Sequence, residues 1–177
     1  IQVFTSSFAA YAFAKLHFKG RDLLFILYIC TIAVPWQVYM VPQYIMVGKM
    51  SLTDSHLGMI MMQSFTAMGV FLMRQFYTSI PDELCEAARI DGLTEYGIYF
   101  RVVLPLAKGG IATLIISSFV TVWNDFMGPL YFIQKREKDV ILQEVYRNIG
   151  QFSTDWTSLF PMMVLGILPL LVFYIFM

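Results

Sequence analysis

The sequence predicts an all-α, polytopic transmembrane helical bundle of about five spans, the first of them partial. Three observations carry that expectation. The 177 residues are 58% hydrophobic and 14% charged, against about 45–50% and about 25% in ordinary soluble domains. Mean hydropathy is +0.67. Charge-free runs recur at about the 20-residue length that a bilayer requires. A soluble fold needs polar groups to cover its surface, and helices apolar on all sides would find few of them here. Twelve Lys+Arg balance twelve Asp+Glu. With no basic excess to neutralise phosphates, nucleic-acid binding is excluded.

The runs follow in order. Residues 1–14 carry no charge and suit only the end of a span. Residues 23–48 form an uncharged run of 26, and residues 55–73 one of 19. Residues 109–124 give 16 more, interrupted by Asp125, and residues 156–177 give 22. Pro35, Pro42, Pro129, Pro161 and Pro169 fall inside these segments, where each removes a helical hydrogen bond and favours a kink. The chain starts at Ile1 and ends in an apolar run, so a single domain over 1–177, truncated at both ends, is expected. Cys30 and Cys85 read as small buried hydrophobes. His17 and His56 lack ligand spacing, so no metal site is expected.

The joints set the orientation. If spans alternate sides, the first and third joints hold seven Lys/Arg and the second and fourth hold five. Basic residues favour the cytoplasmic side, which places the first and third joints there. Residues 135–155 are then extracellular.

The third joint is the most informative. Residues 79–92 read SIPDELCEAARIDG. Ser79 with Asp82 resembles a capping box, Pro81 suits the first turn, and Gly92 suits a left-handed C-terminal turn. A helix of about three turns follows, too short to hold itself in water. A second helix is expected over 94–103, capped by Thr94, with Tyr96, Phe100 and Val103 on one face. Leu104–Pro105 should end it. Two readings of the first helix stay open: Glu86 pairs within its own helix with Arg89, or Ala87 and Ala88 admit a partner to which Glu86 binds.

Glu86-Ala87-Ala88, Gly92, Val102 and Leu104-Pro105, at these spacings, resemble the EAA motif of binding-protein-dependent ABC importer permeases. Val102 stands where the family usually has Ile. The string EAARIDG is similar to the carbohydrate-uptake branch, including the second permease subunit of the maltose system. Residues 9–14 (AAYAFA), 18–21 (FKGR), 71–76 (FLMRQF) and Trp123-Asn124-Asp125 agree in order. The resemblance implies a type I importer permease fold of six spans, with residues 79–105 as a cytoplasmic coupling loop. It implies that Glu86, Ala87, Ala88, Arg89, Asp91, Gly92, Leu104 and Pro105 serve docking to an ATPase subunit. It implies three partners: ABC ATPase subunits, a second and different permease chain, and an extracytoplasmic sugar-binding protein. The location implied is the cell membrane of a prokaryote. No GxxxxGK[ST] phosphate loop occurs in the sequence. No cofactor is therefore expected in this chain, ATP and Mg being bound by the ATPase, and the chain itself is expected not to be an enzyme.

Asp125 is the only carboxylate inside a long apolar run, where ionisable groups face a cavity or a partner. Trp123, Asn124, Asp125, Tyr39, Gln43 and Gln63 are the candidates for pathway or inter-span contacts, with contact between spans favoured over sugar contact. The function expected is a sugar-importer permease subunit. The alternatives are a same-fold permease for peptides, amino acids or polyamines, a membrane enzyme, or a soluble helical scaffold. An enzyme would need a cluster of His, Asp, Glu or Cys at one depth, and none is visible.

Overall fold

The computed structural model describes residues 1–149 and 156–176, and among these it contains helices and no strand. In chain order the helices are α1 (Gln2–Lys15), α2 (Arg21–Cys30), α3 (Trp36–Lys49), α4 (His56–Met62), α5 (Ala67–Thr78), α6 (Asp82–Ile90) and α7 (Glu95–Ile98). A π-helical turn, Tyr99–Val103, leads into α8 (Leu104–Leu106). Then come α9 (Lys108–Trp123), α10 (Met127–Phe132), α11 (Ile141–Arg147) and α12 (Trp156–Phe176).

The expected spans are present but mostly broken. Among the described residues α12 alone is long and apolar enough to cross a bilayer. Three helix pairs reach that length only when joined: residues 21–49, 56–78 and 95–123. With the 14-residue α1, the order of segments agrees with the sequence. The first break has a clear cause. Thr31–Ala33 forms a 3-10 turn and Val34 is extended, as the residue before Pro35 must be. Pro42, Pro161 and Pro169 lie inside α3 and α12 without ending either helix. The last pair bends by 82° between Leu106 and Lys108, so α9 enters at a steep angle to the segment before it.

The chain divides into two units. The first comprises Ile1–Pro35 and Ser64–Ser118. Its core is α1 packed along α5, closed by α6, α7 and the π turn. Met73, Tyr77, Ile98, Tyr99 and Val103 are essentially inaccessible to solvent. Ser7 Oγ hydrogen-bonds with the hydroxyls of Tyr77 (2.6 Å) and Tyr99 (2.8 Å), so the polar tips of both buried rings are satisfied. Gly110 meets α5 closely: a Cβ there would lie 2.6 Å from Phe76 Cγ. Arg74 stacks over the Phe25 ring at 3.9 Å, donates to the Phe13 carbonyl and pairs with Asp22 at 3.4 Å. One guanidinium thereby ties α1, α2 and α5.

The second unit comprises Trp36–Gln63 and Phe119–Met177. Asp54 organises its polar end. Asp54 N donates to the Phe132 carbonyl, and Asp54 Oδ1 accepts from Gln134 N and Lys135 N, both at 3.1 Å. These amides hold the Asp54 carboxyl below the usual carboxylate range, with Lys138 and Lys135 adding to them. Ser55 caps α4 by accepting from Leu57 N. Phe119 stacks on Phe173 with centroids 4.1 Å apart, and Trp123 Nε1 donates to the Gly166 carbonyl at 2.9 Å. These contacts seat α12, most of whose surface is otherwise open. The joint expected over 135–155 contains α11, and its last six residues lie outside the described residues.

Candidate coupling segment and polar cluster

The candidate coupling segment, residues 79–105, differs locally from expectation. Ser79 does not cap α6: its Oγ donates to Phe76 O at 2.8 Å, finishing α5. Pro81 takes the N-cap position, and α6 starts at Asp82. Asp82 and Glu83 in the first turn suit the positive helix end. At the far end Gly92 has φ +81°, a left-handed turn that favours glycine. Its N–H donates to Arg89 O at 3.0 Å, and Leu93 N donates to Ala88 O at 3.0 Å. Thr94 does cap α7, accepting from Gly97 N.

Leu104–Pro105 does not stop the second helix. The π turn carries the chain into α8, whose second residue is Pro105, so the helical path runs through Leu104–Pro105. The helix ends one residue later, at Leu106. The expected face of Tyr96, Phe100 and Val103 is also wrong. Tyr96 and Phe100 are both exposed, whereas Val103, at the end of the π turn, is buried with Ile98 and Tyr99, so the expected face splits at Val103.

The two faces of α6 are distinct. Cys85 and Ala88, three apart, are buried in the first unit, and burial pushes the Cys85 thiol up. Glu83, Glu86, Ala87 and Ile90 are exposed, Ile90 at 87%. Ala88 therefore serves packing within the chain, and Ala87 is the small residue on the open face. Arg89 does not pair with Glu86. It reaches Glu95, Nε to Oε1 at 2.7 Å, which raises the guanidinium and holds the Glu95 carboxyl below its ordinary value. Asp91 and Gly92 form the turn, both exposed. Leu104 is half-buried and Pro105 exposed.

Sequence reasoning missed the residues that hold this segment. Tyr11 OH donates to Glu95 Oε2 at 2.7 Å. Lys15 Nζ donates to Ile80 O and to Asp82 Oδ1, each at 2.5 Å, and the Lys15 side chain is only 2% exposed. The ammonium lowers the Asp82 carboxyl. A signal was available: Ser7, Tyr11 and Lys15 repeat every four residues, a polar stripe on one face of an apolar helix.

The pathway candidates fall in the second unit, and part of the set meets. Gln63 Nε2 donates to Asp125 Oδ2, and Asp125 Oδ1 accepts from Gly128 N at 3.0 Å. Gln63, Trp123 and Asp125 line a cavity of about 410 Å³ with His56, Met59 and Ile60. The cavity is otherwise largely apolar. Asn124 Nδ2 donates back to Val120 O. Gln43 accepts from Trp36 Nε1 at 2.9 Å. Tyr39 is 43% exposed and does not join the cluster. Among the described residues no three His, Cys, Asp or Glu side chains could hold a metal ion.

Comparison with known proteins places the chain. The model of the binding-protein-dependent transport system inner membrane component matches residues 2–177. A probable ABC transporter permease protein of Pyrococcus horikoshii is 35% identical over 99% of this chain and 65% of its own length. The arabinooligosaccharides transport system permease protein AraQ of Bacillus subtilis is 31% identical over 99% of this chain and 63% of its own. The sn-glycerol-3-phosphate transport system permease protein UgpE of Pectobacterium atrosepticum is 31% identical over 95% and 60%. The chain thus spans a little under two thirds of these curated relatives. A chain of a bacterial ABC transporter involved in import of the acidic polysaccharide alginate shares the fold, with TM-score 0.79 and 23% identity over 98% of this chain and 70% of that one. This all-α membrane chain belongs to the family of inner membrane components of binding-protein-dependent transport systems.

Proposed function

We propose that the chain is part of a permease subunit of a carbohydrate ABC importer, forming half of a translocation pathway. In this reading residues 79–105 lie in the cytoplasm of a prokaryote, and α6 docks into an ATPase subunit that binds ATP and Mg. Glu86 meets a cationic group there, and Ala87 allows the close approach. Arg89, Asp91 and Gly92 shape the docking end, and Leu104 and Pro105 lead the motion into α9. A second, different permease chain and an extracytoplasmic sugar-binding protein complete the assembly. The chain itself performs no catalysis, because ATP hydrolysis belongs to the ATPase.

The observation that carries the proposal is the division of α6 into a buried face, Cys85 and Ala88, and an open face, Glu86, Ala87 and Ile90. A short helix alone in water is marginal; this one is held from behind and leaves an acidic, small and apolar surface open. The names of AraQ-type relatives support sugar as the cargo class. Trp123, Asn124, Asp125, Gln43 and Gln63 act chiefly in structural contacts: the pairing of Gln63 with Asp125 and of Trp123 with the Gly166 carbonyl supports contact between spans, while Gln43 and Asn124 bond within their own segments. Tyr39, by contrast, is available to the pathway or to lipid. The test is Glu86→Ala in the assembled full-length complex. Solute-stimulated ATP hydrolysis should be lost while the permease stays folded. Normal stimulated hydrolysis would refute the docking role.

A further inference from the structure

Ser7, Tyr11 and Lys15 are all buried on one face of α1, and each is committed to chain lying beyond α1. Ser7 holds the hydroxyls of Tyr77 and Tyr99. Tyr11 holds Glu95, which also holds Arg89. Lys15 holds Asp82 and the Ile80 carbonyl. Two of these ties are charged, and they bracket α6: Lys15–Asp82 at its N-terminus, and Tyr11–Glu95–Arg89 across its C-terminal turn. Burying an ammonium is costly unless it is paired. Such pairs add little net stability compared with apolar packing, and their best-attested use is to fix one geometry. Apolar contact between α1 and α5 would suffice to hold the helices together. It would leave α6 free to rock on Cys85 and Ala88.

We propose that this two-point clamp makes α1 and the α6–α7 segment a single rigid lever, so that displacement of the coupling helix is delivered directly to the first span. The inference rests on the permease reading above. Lys15, Tyr11 and Glu95 are positioning residues that hold the docking helix from behind, and Asp82, itself exposed, is the point on α6 that Lys15 grips. Losing the clamp should leave ATP hydrolysis intact and waste it.

The experiment uses the full-length permease with its ATPase, second permease and binding protein in proteoliposomes. Solute imported per ATP hydrolysed is measured beside thermal unfolding. Tyr11→Phe removes one oxygen atom, and Glu95→Gln is isosteric. Each should lower solute per ATP about 5-fold, the lower end of ordinary coupling energies, with basal hydrolysis within about twofold. The double variant should lose about 5-fold as well, because Tyr11→Phe removes the hydroxyl donor and Glu95→Gln removes the charge that draws it and Arg89, so both changes weaken one connection. Lys15→Met should behave likewise, and Lys15→Arg should restore part of the yield. Unchanged solute per ATP in Tyr11→Phe and Glu95→Gln would overturn the clamp. So would a loss matched by an uncharged packing variant, Ala10→Gly, at equal thermal destabilisation. Should Tyr11→Phe fail to assemble, Glu95→Gln decides alone. A wild-type complex with no ATP-driven import would refute the permease reading itself, and the clamp with it.

Discussion

The two units contain similar numbers of residues and bury themselves very differently. Of the 18 buried apolar residues in the described chain, 14 belong to the core of the first unit. The second unit has four: Val47, Phe132, Ile133 and Leu159. In α12 only 6% of the most apolar window is buried, although its hydropathy is the property that marks it as a span. The first unit closes on itself through aromatic packing and a buried hydroxyl and charge network. The second presents apolar side chains outward and ties its polar groups into small separate clusters, around Asp54 and between Gln63 and Asp125. A helix apolar on all sides stays folded only where its surroundings are also apolar. The difference teaches that hydropathy and burial report different things in this chain. Hydropathy marks what faces lipid or another apolar partner, and the internal core is built from Tyr, Met, Ser and Lys as much as from aliphatic residues.

The sharpest way to break this comparison is to cut cavities in both units. Met73→Ala should cost about 2–5 kcal/mol of stability, whereas Leu165→Ala on α12 should stay within about 0.5 kcal/mol. Unfolding in detergent checks both, and equal losses would erase the distinction. A smaller effect is expected for Ser7→Ala, which strips the partner from two buried tyrosine hydroxyls at about 1–3 kcal/mol. Tyr77→Phe made together with it should recover part of that loss.

Acid should act on the first unit through Glu95 and Asp82. Both carboxyls are held below their ordinary values, Glu95 first by Arg89 and Asp82 first by Lys15. The folded state therefore binds fewer protons than the unfolded one in that interval. The stabilisation is complete above the ordinary carboxylate range, about pH 4, and is lost as pH falls through the lowered values. Thermal unfolding followed from pH 7 downward should be flat and then drop, and Glu95→Gln should blunt the drop. The smallest effect is expected in the second unit. Asp54→Asn keeps an acceptor for the amides of Gln134 and Lys135, weakens those two bonds by removing the charge, and loses the pairs with Lys135 and Lys138. That should cost under about 1 kcal/mol and fade with salt.

Much of this was legible in the residues. The order of apolar runs, the polar third joint, the Gly92 turn and the Thr94 cap all follow from local chemistry. The break at Pro35 also has a local cause, which the long uncharged run concealed. Other features depend on tertiary contacts. Ser79 had two possible partners, the α6 amides and the Phe76 carbonyl, and sequence spacing does not rank them. Pro105 looked like a stop because proline disfavours helix before it, yet the chain passes through a π turn and stays helical to Leu106. Arg89 chose Glu95 over Glu86 because the Gly92 turn folds α7 back within reach. The pairing of Gln63 with Asp125 joins residues 62 apart, which no local pattern announces.

The central claim is that α6 presents Ala87 on a cytoplasmic face that an ATPase subunit covers. Thiol labelling of Ala87→Cys tests it most directly. Cys30→Ser removes the exposed thiol of residues 1–177, Cys85 is buried, and the parent without Ala87→Cys gives the background labelling. The full-length permease is assembled in membrane vesicles of both orientations, with and without the ATPase. Labelling should occur only from the cytoplasmic side and should be blocked when the ATPase is present. Labelling from the outer side, or labelling that the ATPase leaves unchanged, would contradict it.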